Sequence, residues 1–180
     1  MKITIQLFIT LAICITCTSL SCQKEKDELP RATQEGKNTF GCKIDGKLFV
    51  SKNVITVPVT PGLSSYYDES TKRMRLYAVE PPNEEANRLQ RHVTINIYDL
   101  KIGNNVLNNI NKQEIVIVEI NQLDKYYETN ASIGGTLNIT RLDTVANIIS
   151  GTFSFQAAPR FNPGPNISVT DGRFDITYQP

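Results

Sequence analysis

Residues 93–100 read Val-Thr-Ile-Asn-Ile-Tyr-Asp-Leu. Val93, Ile95 and Ile97 alternate with Thr94, Asn96 and Tyr98, so an extended chain would put the first three on one face and the others on the opposite face. A helix would scatter the same residues around its axis. The period is that of a half-buried strand, and it recurs outward in both directions. Towards the C-terminus, Ile149, Gly151, Phe153 and Phe155 are expected inward, with Ser150, Thr152 and Ser154 outward. Phe174, Ile176 and Tyr178 then point in, with Arg173, Asp175 and Thr177 out. Towards the N-terminus, Phe40, Cys42 and Ile44 alternate into Asp45-Gly46, the dipeptide of a type I′ turn, and the chain returns through Lys47–Val50.

The segments between carry the same signal more weakly. Val54–Val59 reads as a strand, with Pro58 confining it to a sheet edge. Arg75–Val79 is a short strand closed by Pro81-Pro82, and Asn83–Arg91 has room for one or two helical turns. Five asparagines between Asn104 and Asn111 mark turns. Ile115–Ile120 is apolar on both faces apart from Glu119, as a central strand would be, and Leu137 and Ile139 open another alternation that ends in the loop Asp143–Asn147. Short strands without a long helix predict an all-β fold, an antiparallel β-sandwich or partly open barrel, forming one domain over residues 39–180.

The first 21 residues belong to a different kind of sequence. Lys2 precedes a mostly apolar run, Leu7–Ile15, and small and polar residues then lead to Cys22. That order of charged, apolar and small segments is a secretory signal peptide. The run is shorter than the ~20 apolar residues that cross a bilayer. Cys14 and Cys17 leave with the signal, whereas Cys22 follows directly on Ser21 in Ser-Leu-Ser-Cys, where a lipoprotein signal peptidase would cut. Ser19 stands where such sites usually carry an aliphatic residue, and Leu20 sits one place late. Three acyl chains (palmitate-like) on Cys22 would each add about 0.8 kcal/mol per buried CH₂, enough for stable anchoring. The membrane is thus the first expected partner, and the cell envelope the expected location.

Residues 23–38, QKEKDELPRATQEGKN, carry four acidic and four basic side chains and no aromatic. With Cys22 they read as a lipidated, flexible tether over 22–38 with a reach of roughly 20–24 Å. Setting aside residues 1–21 leaves 18 basic and 18 acidic side chains. No basic excess or stripe marks a nucleic-acid partner. Cys42 is the one cysteine left after Cys22, so no internal disulfide forms, and its place between Phe40 and Ile44 makes it a small buried hydrophobe.

Chemistry-bearing residues are few. His92 is the only histidine and is expected at the surface, so neither a Cys-His pair nor a His-rich metal site is supported, and no cofactor motif appears. Glu119 follows Ile115 and Ile117 on one strand face, where a buried carboxylate would be catalytically poised, or where the strand leaves the core. Tyr66-Tyr67 and Tyr126-Tyr127 are adjacent pairs, each expected to put one ring in and one out; the outward rings could stack on a sugar or a partner protein.

The stretch ELPRATQEGKNTFGCKIDGKLFV, with Leu29, Pro30, Ala32, Thr33, Gly36, Asn38, Thr39, Phe40, Gly41, Cys42, Gly46 and Lys47, resembles the opening of a group of Bacteroidota lipoproteins. ISGTFSF (149–155) and VTDGRFDITY (169–178) are similar to that group's ending; Arg31 departs from it, since a second Pro is common there. The resemblance implies an all-β domain on a lipid anchor and transfers no catalytic residue. The charges ending in Lys26-Asp27-Glu28 also resemble a surface-export signal of such lipoproteins, and Asp143-Thr144-Val145 resembles their three-residue O-glycosylation acceptor, with Thr144 as the site.

These readings together predict an envelope lipoprotein that binds a glycan or protein without catalysis. An accessory subunit of a surface complex and a hydrolase with paired carboxylates are the alternatives. Mass spectrometry of the protein from a native-type host is expected to find lipid on Cys22 and a sugar mass on the peptide holding Thr144. Lipid persisting after Cys22→Ser, or an unmodified Thr144 peptide, would contradict the respective assignment.

Overall fold

The computed structural model describes residues 28–53, 61–82, 90–108, 114–120 and 125–180, and of 114–120 the backbone alone. The signal segment, Cys22, the expected strand at 54–59 and most of the expected helical turn at 83–91 lie outside the described residues.

All described regular structure is β, and the architecture is an antiparallel sandwich without barrel closure. One sheet runs β3(Leu63–Asp68), β4(Arg73–Glu80), β5(Arg91–Ile97), β7(Glu114–Ile120), β8(Lys125–Glu128). The other runs β2(Lys47–Val50), β1(Thr39–Ile44), β11(Ile167–Thr177), β10(Ile148–Pro159), β9(Gly135–Asp143), β6(Gly103–Leu107). The long β10 joins them: its body pairs with β9 and β11, and its last residues, Ala158 and Pro159, pair with β8 of the facing sheet.

Alternation puts the expected residues inside. Val93, Ile95 and Ile97 meet Phe40, Ile149, Phe153, Phe155, Phe174 and Ile176 in one core. Phe153 lies between Phe40 and Phe155, with ring centroids 5.2 and 6.1 Å away. Gly172 opposite it is required, because a Cβ there would come within 2.4 Å of that ring. Asp45 and Gly46 take φ of 48° and 75°, the left-handed pair that a type I′ turn needs. A buried ion pair ties the sheets together: Arg91 Nε donates to Glu80 at 2.7 Å, and Arg91 also donates to the carbonyl of Leu48 on β2 and lies over Phe49.

Three expectations are corrected, one of them only in part. The asparagine-rich stretch does not begin with a turn, since Gly103–Leu107 is strand β6. Asn105 is tolerated in it because its amide replaces missing backbone partners, accepting from Lys101 N at 2.9 Å and donating to Lys101 O at 2.8 Å. Ser150 and Asp175 do occupy the outer face, yet both are buried, at 1% and 0% exposure. The reason is the third correction: the expected tether is fastened down from Leu29 onward. Leu29 and Pro30 sit over Gly41, where a Cβ would stand 2.5 Å from the proline ring.

This strap then crosses to Asp175. The carboxylate accepts from the Thr33 hydroxyl (2.6 Å), the N–H groups of Glu35 (2.9 Å), Gly36 (2.8 Å) and Lys37 (3.2 Å), and the Ser150 hydroxyl (2.8 Å). Gly36 makes the turn at φ 72°, and Asn38, at φ 54°, accepts from Thr177 N before the chain enters β1. Arg141 on β9 holds the carbonyl of Gln34. Burial by itself would raise the pKa of Asp175, but the hydrogen bonds from Thr33, Glu35, Gly36 and Ser150 outweigh it and hold the group at about 2.

Because that value lies below the ordinary carboxylate range, the clasp stabilises the fold fully above about pH 4 and loses its contribution as the pH falls towards 2. Asp175→Asn is expected to cost about 2 kcal/mol in urea unfolding at pH 7 and to flatten the loss of stability between pH 4 and 2. An acid profile identical to wild type would show that the carboxylate does not carry this contribution.

Candidate functional site

The strap covers only part of the outer face of the β2–β1–β11–β10–β9–β6 sheet. Cross-strand register lays out the rest in rows. Under the strap lies the row Asp175, Ser150, Arg141. Next comes Gly41, Arg173, Thr152, Asn138, Asn104, then Lys43 and Thr170 with Ser154, Thr136 and Val106. Gln156 and Ser168 pair beyond them. Alternation makes these rows polar: each outward residue is the partner, by period two, of a buried apolar one.

A bulge hollows this face. The β1–β11 and β10–β11 registers both shift around Thr170–Gly172, and Asp171 takes φ of 55°. Bulges bend a strand and re-aim its side chains. Here the bend leaves a groove of about 590 Å³, lined by Ala32 of the strap and by polar side chains of β9, β10 and β11, with Phe153 and Gly172 also in its wall. It continues, through the shared Thr136, Ser154 and Thr170, into a second hollow of about 380 Å³ that reaches Gln156 and Ser168. The strap stands at one end, and the other end is open.

The groove is rich in hydroxyls and amides, with Arg173 beside the strap and the Lys43–Asp171 pair on the middle row. Asp171 pairs with Lys43 at 2.9 Å, and that contact, with the hydrogen bond from the same ammonium, lowers its pKa. Arg173 Nε donates to the carbonyl of Asp171 at 3.3 Å. Such an arrangement can offer directed hydrogen bonds from rigid strands above a partly apolar floor that includes Phe153.

The tyrosines lie on the opposite sheet and do not converge. Tyr67 is in the core, edge-on to Tyr178, and Tyr127 packs against the core. Tyr66 faces out on β3, 42% exposed, and Tyr126 on β8 meets Phe161 edge-to-face at 5.5 Å. Strands β4, β5 and β7 separate Tyr66 from Tyr126, which is roughly 19 Å. They cannot form one stacking platform. Tyr66 instead shares its face with Arg75, Tyr77 and Tyr98, the last under the Arg73 guanidinium at 4.7 Å.

His92 lies partly exposed on the outer face of its sheet, with its Nδ1 hydrogen-bonded to the hydroxyl of the exposed Tyr77. Glu119 pairs through its backbone with His92 on one side and Tyr126 on the other; its side chain lies outside the description. Cys42 is a free thiol with 0% exposure, and burial pushes its pKa up to about 12 against the opposing effect of Arg91. A thiol so protonated and enclosed is a packing residue. Thr144 occupies the exposed tip of the β9–β10 turn, beside Val145 at 95% exposure. Asp143 shapes that tip by accepting from Val145 N (3.1 Å) and Ala146 N (2.9 Å). Among the described residues no group of three His, Cys, Asp or Glu converges to hold a metal ion.

The residues that line the groove or close it were not singled out in the sequence. Alternation marks Thr152 and Ser154 as outward, but nothing local signals that a bulge on the neighbouring strand β11 will hollow their surface. No family model, curated protein or solved structure matches the chain.

Proposed function

We propose that this chain is a lipid-anchored binding module of the cell envelope that holds a glycan in the groove beside the strap. One observation carries the reading: Thr136, Asn138, Thr152, Ser154 and Thr170 present hydroxyl and amide groups side by side from adjacent strands, in a hollow of ligand size. Sugar hydroxyls both donate and accept, as these side chains do, and a sheet holds the donors and acceptors at fixed spacing. The lipid on Cys22, the outer-membrane location with display at the surface, and a sugar on Thr144 belong to the same reading; an exposed turn tip suits a bulky modification.

A second reading, an accessory subunit of a surface complex, draws on the other outer face. Tyr66, Tyr77 and Tyr98 with Arg73 and Arg75 have the composition that protein interfaces favour. Native gels cast with soluble polysaccharides separate the two. The wild type is expected to be retarded in at least one gel. The triple variant Asn138→Ala, Thr152→Ala, Ser154→Ala is expected to run freely with an unchanged melting temperature, since single surface changes cost within about 0.5 kcal/mol. Equal retardation of the triple variant would remove the groove from the function. No retardation in any gel, together with a stoichiometric protein co-purifying through the tyrosine face, would favour the second reading.

A further inference from the structure

Resting on the glycan reading, the placement of one arginine narrows the ligand. The groove has a closed end and an open end. Ala32 forms the closed end because Thr33, the next residue, is fixed to Asp175 at 2.6 Å. Arg173 and Thr152 lie directly beside it, one step along β11 and β10 from Asp175 and Ser150. Among the described residues, none that lines the open end is ionic, and the Asp45 carboxylate beside it accepts from Ser168 N at 2.8 Å. Among the described lining residues Arg173 is the one cation, and it stands at the closed end.

The charges there do not cancel. Asp171 is paired with the Lys43 ammonium at 2.9 Å and also feels the Arg173 guanidinium, so two cations share one anion and the cluster keeps a net positive charge. Arg173 Nε is committed to the Asp171 carbonyl at 3.3 Å, which fixes the plane of the fork beside the groove floor. A planar fork next to hydroxyls suits a carboxylate, which two parallel N–H groups can bind at once. The blind end admits the terminus of a chain, since a continuing polymer would run into the strap. We infer that the groove takes the acidic end of a glycan, a terminal sugar carboxylate against Arg173 at the wall formed by Ala32, with the neutral sugars behind it lying along Thr152, Ser154 and Gln156.

The test is an array of matched oligosaccharide pairs, each printed with and without a terminal uronate or sialate, probed with the folded wild-type domain. Binding is expected on acidic members and at least about tenfold weaker on their neutral partners, the range of one charge-assisted contact. Arg173→Gln is expected to bring acidic members down to the neutral level, with Arg173→Lys between, and Ala32→Trp to block binding by filling the closed end. Melting temperatures confirm that each variant is folded. Equal signal on both members of the pairs would overturn the carboxylate assignment and leave the glycan reading standing. Signal on long polymers that carry no accessible acidic end would overturn the closed end. No signal on any pair would overturn the glycan reading and this inference together.

Discussion

Five donors converge on the carboxylate of Asp175, three of them backbone N–H groups from a segment that lies some 140 residues earlier in the chain. Without that anion, the N–H groups of Glu35, Gly36 and Lys37 would have only water to bond, in a segment, 23–38, whose four acidic and four basic side chains favour solvent. With it, the segment becomes a strap that buries Ser150, seats Pro30 on Gly41 and delivers the chain into β1 beside β11. The carboxylate is worth burying because every lone pair is used; a buried charge left short of partners would cost several kcal/mol.

The strap also divides a sheet face that would otherwise be uniform. On one side of the Thr33 contact lies a sealed polar network, and on the other an open hollow floored by the same two strands. The bulge at Thr170–Gly172 deepens the open part, and the Lys43–Asp171 pair lies on its rim. Fold and candidate site therefore share a cause. The residues that hold the N-terminal segment in place are one step along β10 and β11 from those that would meet a ligand.

Much of the sandwich was legible because burial on one face of a strand imposes a period of two. Val93–Ile97, Ile149–Phe155 and Phe174–Tyr178 kept their inward sets, and Asp45-Gly46 adopted its turn, since each of these depends on neighbours in sequence. What was missed depends on distant partners. Alternation placed Ser150 and Asp175 on the outer face correctly but says nothing of what covers that face. Composition read Leu29–Asn38 as soluble, which it is until a buried anion supplies the bonds. Asn105 was read as a turn former because its side chain competes with the backbone; in β6 that same ability satisfies Lys101. The groove was not legible, because it is made by a register shift and by a strap, and neither leaves a local pattern. Of the four tyrosines, the in-and-out alternation held for Tyr66 and Tyr67, while the sheet order set Tyr66 and Tyr126 apart.

Hydrogen exchange of the strap amides tests the Asp175 clasp most directly. In the folded protein near neutral pH, the N–H groups of Glu35, Gly36 and Lys37 are expected to exchange far more slowly than in an unstructured peptide, and to lose that protection in Asp175→Ala while the strands keep theirs. Exchange of these three amides at free-peptide rates in the wild type would show that the segment is a tether after all, and that the groove has no closed end.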